Sequence, residues 1–169
     1  MPEKTMKDLF YHTLKDVNFA ESLILKTLPK LIKVAGDAKL KAALESHMHE
    51  TETQIKRIAQ VFELIGMKAE AVPCEAIKGI LHEGDEVIEM FKGTIASDAA
   101  LIASCQAVEH YEITRYGTMR RWATELKLKP VANLLDETLN EEYNADDTLT
   151  AIAEKTANPK AEGQNKKAG

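Results

Sequence analysis

The chain has 169 residues, of which 44% are hydrophobic and 29% charged, so it is long enough for one domain with a buried core. Its net charge of −5 gives no basic footprint for nucleic acid. The sequence has no apolar run near the roughly 18 residues of a membrane span, and its first residues lack a hydrophobic signal core. We therefore expect a cytoplasmic protein without nucleic-acid or membrane binding, in which Cys74 and Cys105 are free thiols.

Two amphipathic helices are predicted in the first part of the chain, because apolar residues recur there at steps of three and four. Thr5 and Asp8 resemble a capping box that opens the first helix. Pro29 falls inside the apolar pattern and predicts a kink or an early end. Asp37 is a good N-cap for the second helix, and Gly66 is a natural stop.

Residues 67–97 look different from the helices on either side. A short helical stretch at roughly 75–91 is weakened by glycines, and we expect this segment to cross the bundle from one end to the other. A third long helix is predicted to begin at Ser97 or Asp98 and to run to about Leu126. Together these features predict a long crossover that carries a short fifth helix.

The fourth long helix is predicted to begin at Pro130, after a short turn. Short connections within the first and the last pair of long helices make each pair antiparallel, and the long connection between the pairs is the ferritin-like arrangement. We therefore predict an all-α, ferritin-like four-helix bundle over residues 1–157. Residues 158–169 are rich in Lys, Gly and Ala and are predicted to form a disordered tail.

Each long helix carries an acidic residue inside its apolar stripe, namely Glu21, Glu50, Glu109 and Glu142. Ionised carboxylates are rarely buried unless they are paired or bound to a cation. His47 lies three residues before Glu50, and Glu112 three residues after Glu109, so each pair shares a helix face. The match to a ferritin-like set, one Glu from two helices and Glu-x-x-His from the other two, is partial. Clustered carboxylates and imidazole still favour a pair of iron or manganese ions, because without cations the acids would repel one another.

Several alternatives stay open at this stage. Glu141 competes with Glu142 for the position on the fourth helix, although the unbroken step pattern favours Glu142. Asp146 shares that face and could instead bond to a neighbouring His or Lys. His49 and His110 are expected to face solvent. Any of the acids taken alone could lie at the edge of its stripe and reach water.

Four segments resemble the YciE/YciF-like stress-response family, which is ferritin-like. They are residues 20–31, HMHET at 47–51 with QVFE at 60–63, VEHYEI at 108–113 with YGT at 116–118, and LNEE at 139–142. The resemblance covers about residues 5–155. It implies a rubrerythrin-like or ferritin-like bundle, commonly a homodimer, with a di-metal centre. Carried over by motif, the metal ligands would be Glu21, His47, Glu50, Glu109, Glu112 and Glu142.

Different functions fit this pattern. The first is a redox enzyme with ferroxidase-like, peroxidase-like or catalase-like chemistry, using oxygen or peroxide at two iron or manganese ions. The second is a metal-stabilised structural bundle without turnover, since a cation that binds only the native state adds stability. The third is an interaction protein whose acids are solvated.

Overall fold

Five long or medium helices and a short C-terminal extension make up the computed structural model, which describes residues 3–163 and has no strand in that range. The elements are α1 Met6–Val34, α2 Ala38–Leu64, α3 Glu75–Phe91, α4 Ser97–Glu125, α5 Lys129–Ile152, a π-helical turn Ala153–Ala157, and α6 Asn158–Ala161. The predicted all-α bundle with a helix-bearing crossover is therefore confirmed. Within the same residues, no helix has the continuous apolar stretch that a membrane crossing requires.

Helix ends follow the capping signals in the sequence. The Thr5 backbone N–H donates to the Asp8 carboxylate at 2.8 Å, which is the expected capping box. The Asp37 carboxylate accepts from the backbone N–H groups of Lys39 and Leu40 at 2.8 and 3.0 Å. These bonds satisfy donors that the first turn of a helix leaves free, and they fix where α1 and α2 begin.

The sequence predicted either a kink or an early helix end at Pro29. Helix α1 continues through Pro29 to Val34, so it does not end early at the proline. Proline removes one backbone hydrogen bond from a helix interior. Leu28 and Leu31, on either side of it, are both buried, and their burial offsets that loss.

The four long helices pack in the order α1, α2, α5, α4, with α4 also against α1, and they enclose one core. Helix α3 packs against α4 on the outside of this ring. The apolar core is divided into two clusters. The crossover cluster includes Leu28, Leu44, Ile77, Leu101 and Leu149. The turn cluster includes Phe10, Val61, Met119, Ala123 and Leu135.

A band of buried polar side chains separates the two clusters. We call Glu21, His47, Glu109, Glu112 and Glu142 the polar layer. On α1 it falls between Val17 of the turn cluster and Ile24 of the crossover cluster. The sequence predicted that acids from the four long helices would lie at similar depth. The structure buries those of α1, α4 and α5, but on α2 the buried side chain is His47 and Glu50 is 40% exposed.

The start of the predicted disordered tail is helical instead. Helix α6 covers Asn158–Ala161, directly after the π-helical turn. Ala153 and Ala157 are buried in the crossover cluster, and the Lys160 ammonium lies 3.5 Å from Asp98 on α4. These contacts hold the start of the predicted tail against α4, although its composition alone predicted disorder. The rest of the predicted tail, residues 164–169, lies outside the described residues.

Candidate metal centre

Four buried side chains from three helices converge inside the polar layer. His47 comes from α2, Glu109 and Glu112 from α4, and Glu142 from α5. One possible ligand atom from each lies within 4.8 Å of the others, so the group could hold a metal ion. Over the whole residue, backbone included, the exposed fractions are 5% for His47, 3% for Glu109, 2% for Glu112 and zero for Glu142.

Glu21 reaches the same region from α1. It is completely buried, and one carboxylate oxygen accepts a very short hydrogen bond from the Tyr116 hydroxyl on α4. Its other oxygen has no hydrogen-bond partner among residues 3–163. Glu21 is not part of the four-residue group, but His47 and Glu112 both act to lower its pKa, against the larger effect of burial.

Glu50 has a different position from the other predicted ligands. Its side chain is 40% exposed, and its carboxylate lies 3.9 Å from Nδ1 of His47. Nε2 of His47 lies 3.6 Å from Glu109 on the other side of the ring. The fold therefore brings four of the six predicted residues together, with Glu21 against them and Glu50 at the rim.

The polar layer leaves many hydrogen-bonding atoms unsatisfied. Among residues 3–163, the buried side-chain atoms without a partner are Oε2 of Glu21, both ring nitrogens of His47, Oε1 of Gln54, Oε2 of Glu109, both carboxylate oxygens of Glu112, and Oε2 of Glu142. Buried polar groups in native proteins are nearly always paired, and each unpaired one costs roughly 1–3 kcal/mol. These atoms belong to carboxylates, an imidazole and an amide, which are types of donor that iron and manganese accept. The residues therefore fit a cation.

Burial dominates the electrostatics of the layer. It raises the pKa of Glu21 and of Glu109 from 4.5 to about 7, with hydrogen bonds from Tyr116 and Glu142 respectively acting against it. The pKa of Glu112 is raised well above its usual value by burial and by the charge of Glu142. Burial also raises the pKa of Glu142, against the opposing effect of His47. Without a cation, the layer therefore keeps protons on its carboxyl groups.

Burial acts on the pKa of His47 in the opposite direction from its effect on the acids. Burial alone would lower the pKa of its ring, but the carboxylates of Glu50, Glu142 and Glu21 outweigh burial, and the pKa is raised. The residue is the imidazole donor of the four-residue group. A cation would replace the proton that the acids otherwise hold there.

The structure distinguishes the two glutamates that competed on α5. The Arg57 guanidinium forms two hydrogen bonds of 2.9 Å to the Glu141 carboxylate, and it also donates to the Thr138 hydroxyl at 2.7 Å. Glu141 is thus paired within the chain, whereas Glu142 points into the polar layer. The preference for Glu142 at the buried position is confirmed.

Gln54 is a site residue that the sequence reasoning did not assign. It is fully buried on α2, and its amide donates to Glu142 and, at 3.0 Å, to Glu141. It therefore fixes how the Glu142 carboxylate is oriented. The available signal was its place in the apolar stripe of α2, where an uncharged polar side chain attracts less notice than an acid.

The remaining alternatives also have definite outcomes. Asp146 accepts a hydrogen bond of 3.0 Å from Gln106, and its other carboxylate oxygen lies 3.3 Å from Nε2 of the neighbouring His110. The side chains of His49 and His110 are 72% and 68% exposed, as expected. Cys74 and Cys105 are free and buried.

Comparisons with known proteins support this fold. Residues 5–162 match the family described as "Domain of unknown function (DUF892)". Protein YciF from Escherichia coli strain K12 is 42% identical over 165 residues, which is 97% of this chain and 99% of YciF.

Solved structures of related proteins have the same fold. The E. coli stress protein YciF matches with a TM-score of 0.86 and 40% identity, over 95% of this chain and 99% of YciF. YcfI from Rhodopseudomonas palustris has the same TM-score and 44% identity, over 89% of this chain and 96% of YcfI. A protein from Xanthomonas campestris pv. campestris shares the fold at 18% identity and a TM-score of 0.73, over 95% of this chain and 99% of the other. The chain therefore belongs to the DUF892 family of YciF-like helical proteins, as its motifs predicted.

Proposed function

We propose that this chain is a di-metal carboxylate protein of the stress response. It would hold two iron or manganese ions in the polar layer and oxidise Fe(II) or consume oxygen or peroxide there. The observation that carries the proposal is the set of buried carboxylate and imidazole atoms that have no partner within residues 3–163. The stress assignment rests on the relative YciF, which is described as a stress protein.

The charge of the layer supports two cations better than one. Glu21, Glu109, Glu112 and Glu142 are all buried, which places up to four negative charges in the layer. Two divalent cations would neutralise most of this charge and remove the cost of burying it. Among residues 3–163, no ion pair joins a lysine or arginine to these four carboxylates, and Arg57 is paired with Glu141 and Glu137.

The protein's own residues would prepare the site in three ways. When bound, the metal pair supplies redox chemistry toward oxygen or peroxide. The Tyr116 hydroxyl holds Glu21 by a hydrogen bond, and the Gln54 amide holds Glu142. The crossover cluster and the turn cluster exclude bulk water from both ends of the layer.

Two adjacent glutamates on α5 provide a matched test of this proposal. Metal content per chain is measured by elemental analysis for the wild type, Glu142→Gln and Glu141→Gln, each purified without chelator and reloaded with Fe(II) under anaerobic conditions. We expect about two ions per chain in the wild type and in Glu141→Gln, and loss of binding in Glu142→Gln. A wild type that takes up no transition metal contradicts the proposal.

A metal-stabilised structural bundle is the second candidate function. It is supported by YcfI, whose description proposes a structural role. Peroxide and oxygen consumption by the iron-loaded and manganese-loaded protein separates the two candidates. Turnover that disappears in Glu142→Gln supports the enzyme, whereas stoichiometric loading without any turnover supports the structural bundle.

The homodimer implied by the family resemblance stays a prediction. Met90, Phe91 and Ile95 at the end of the crossover are exposed apolar side chains, and such side chains are suitable for a contact between subunits. Light scattering coupled to gel filtration tests it directly. A mass of twice the 18.8 kDa chain is the expected result, and a monomer at all concentrations would contradict it.

A further inference from the structure

A cleft between α2 and α5 leads from the protein surface to the polar layer. Its volume is about 110 Å³, which is room for several water molecules. Ser46, Asn144 and Thr148 at its outer rim are exposed, and His47 and Glu109 at its inner end are buried. The cleft therefore joins solvent to two of the side chains that could hold a metal ion.

Possible ligands follow one another along this cleft in order of burial. Glu50 has 40% of its side chain exposed, His47 has 7%, and Glu109 has 4%. The Glu50 carboxylate lies 3.9 Å from one ring nitrogen of His47, and the Glu109 carboxylate lies 3.6 Å from the other. Each step is short enough for an ion to contact a new donor before it leaves the previous one.

The donors at the inner end are free to receive a cation. Both ring nitrogens of His47 and one oxygen of Glu109 have no hydrogen-bond partner within residues 3–163. Carboxylates at both ends of the path attract cations and repel anions, and the rim carries hydroxyl and amide groups that can replace lost water. Ala43 and Ala145, whose side chains are small, line the cleft and help to keep it open.

We propose that the α2–α5 cleft is the route by which divalent cations enter the polar layer, and that Glu50 is the transit carboxylate at its mouth. This inference rests on the proposed function. It differs from the ligand set implied by the family resemblance, because Glu50 would bind the ion in passing and the final site would be built from the buried residues.

The test compares two alanines on α5. Ala145 lines the cleft, whereas Ala132 lines a groove beside Arg120 and Asp136, away from the polar layer. Stopped-flow absorbance follows the uptake of Co²⁺ by the metal-free full chain of wild type, Ala145→Leu and Ala132→Leu. We expect uptake at least tenfold slower in Ala145→Leu, an unchanged rate in Ala132→Leu, and the same final amount of Co²⁺ in all three.

Glu50→Gln is a second variant that adds no bulk to the core, because the residue is half exposed. Its Co²⁺ uptake should be several-fold slower at low salt, with the final stoichiometry unchanged. Rates equal to wild type in both Ala145→Leu and Glu50→Gln would overturn the entry route. Loss of stoichiometry in Glu50→Gln would overturn the transit role and make Glu50 a ligand.

These outcomes are distinguishable from failure of the proposed function. If the wild type binds no Co²⁺, the metal centre itself is wrong. If it binds Co²⁺ and the cleft variants load at the wild-type rate, the centre stands and only the route is wrong.

Discussion

Two regions of this bundle bury carboxylates, and they do so in different ways. Asp98, in the first turn of α4, is only 3% exposed, yet its oxygens accept from the backbone N–H of Gly36 at 2.7 Å and lie 3.5 Å from the Lys160 ammonium. The position also favours a negative charge, because free backbone N–H groups point out of a helix N-terminus. The carboxylates of the polar layer are buried as deeply, but several of their oxygens have no partner within residues 3–163.

This difference in hydrogen-bond partners shows what each region requires. Asp98 is satisfied by groups of the same chain, so its burial is explained by the fold alone. The polar layer concentrates acids that raise one another's pKa, and its unsatisfied oxygens belong to side chains from several helices. A cation from outside the chain would supply the missing partners of the polar layer, whereas Asp98 needs none.

Removal of metal should give the largest effect. A cation at about a thousand times its dissociation constant adds roughly 4 kcal/mol to the free energy of unfolding. In a domain of this size that is about 10 °C in melting temperature. Thermal unfolding followed by circular dichroism, with Mn²⁺ and then with chelator, measures the shift. Glu142→Gln should show no such shift in melting temperature. Equal melting temperatures for the wild type with Mn²⁺ and with chelator would mean that the polar layer, like Asp98, needs no cation.

The pH dependence of the metal-free protein comes next. The pKa of Glu21 and Glu109 is about 7 in the fold, against 4.5 as the ordinary value. The native state therefore holds protons that the unfolded chain releases, and stability that is complete below about pH 4.5 is lost as the pH rises through about 7. The raised pKa of His47 acts with the same sign.

We expect this loss to be on the order of 3 kcal/mol in the free energy of unfolding for each of these two carboxyl groups. Urea unfolding with chelator, at a series of pH values between about 5 and 8, measures it. In saturating Mn²⁺ the trend should reverse, because cation binding releases protons and strengthens as the pH rises. A metal-free protein that becomes steadily more stable over this range would show that the layer does not hold its protons.

Asp98→Ala should destabilise the protein by about 2 kcal/mol, whether or not metal is present. The substitution leaves the Gly36 N–H without its acceptor and removes the partner of Lys160. Asp85→Ala is the matched control, because Asp85 pairs with Lys30 at 2.6 Å but is 45% exposed, and exposed ion pairs contribute little. Equal effects of the two substitutions on urea midpoints would mean that burial of Asp98 does not matter.

Most of the fold could be predicted from the sequence, because helix caps and apolar periodicity depend on residues close together in the chain. Asp37 and Gly66 mark helix ends through bonds to near neighbours, and the apolar steps define each helix face. Helix α6 was missed because its support comes from distant residues, since Lys160 contacts Asp98 62 positions earlier in the chain. Composition alone cannot predict a contact between residues so far apart in the chain.

The buried acids could also be predicted from a local sequence pattern, but their hydrogen-bond and ion-pair partners could not. Glu21 and Glu142 interrupt apolar stripes, which is a local pattern. The position of Glu50 was not determined by its spacing, because three residues along a helix turn the side chain by about 60° from His47. That rotation takes Glu50 from the layer to the rim. The pairing of Arg57 with Glu141 spans 84 positions and is visible only in the folded chain.

Glu112→Gln should have the smallest effect on stability, and its sign should be opposite to that of Asp98→Ala. Both carboxylate oxygens of Glu112 lack a hydrogen-bond partner in the described part of the chain, and its neighbours Glu21 and Glu142 are also acids. An amide carries no charge to desolvate and can donate to those carboxylates. Near pH 8 the metal-free variant should therefore be more stable than the wild type by about 1 kcal/mol, while it binds less metal. Urea unfolding with chelator gives the first quantity and elemental analysis the second. A variant that is less stable and still binds two ions would mean that Glu112 is satisfied in the fold, as Asp98 is, and that the contrast between the two regions does not hold.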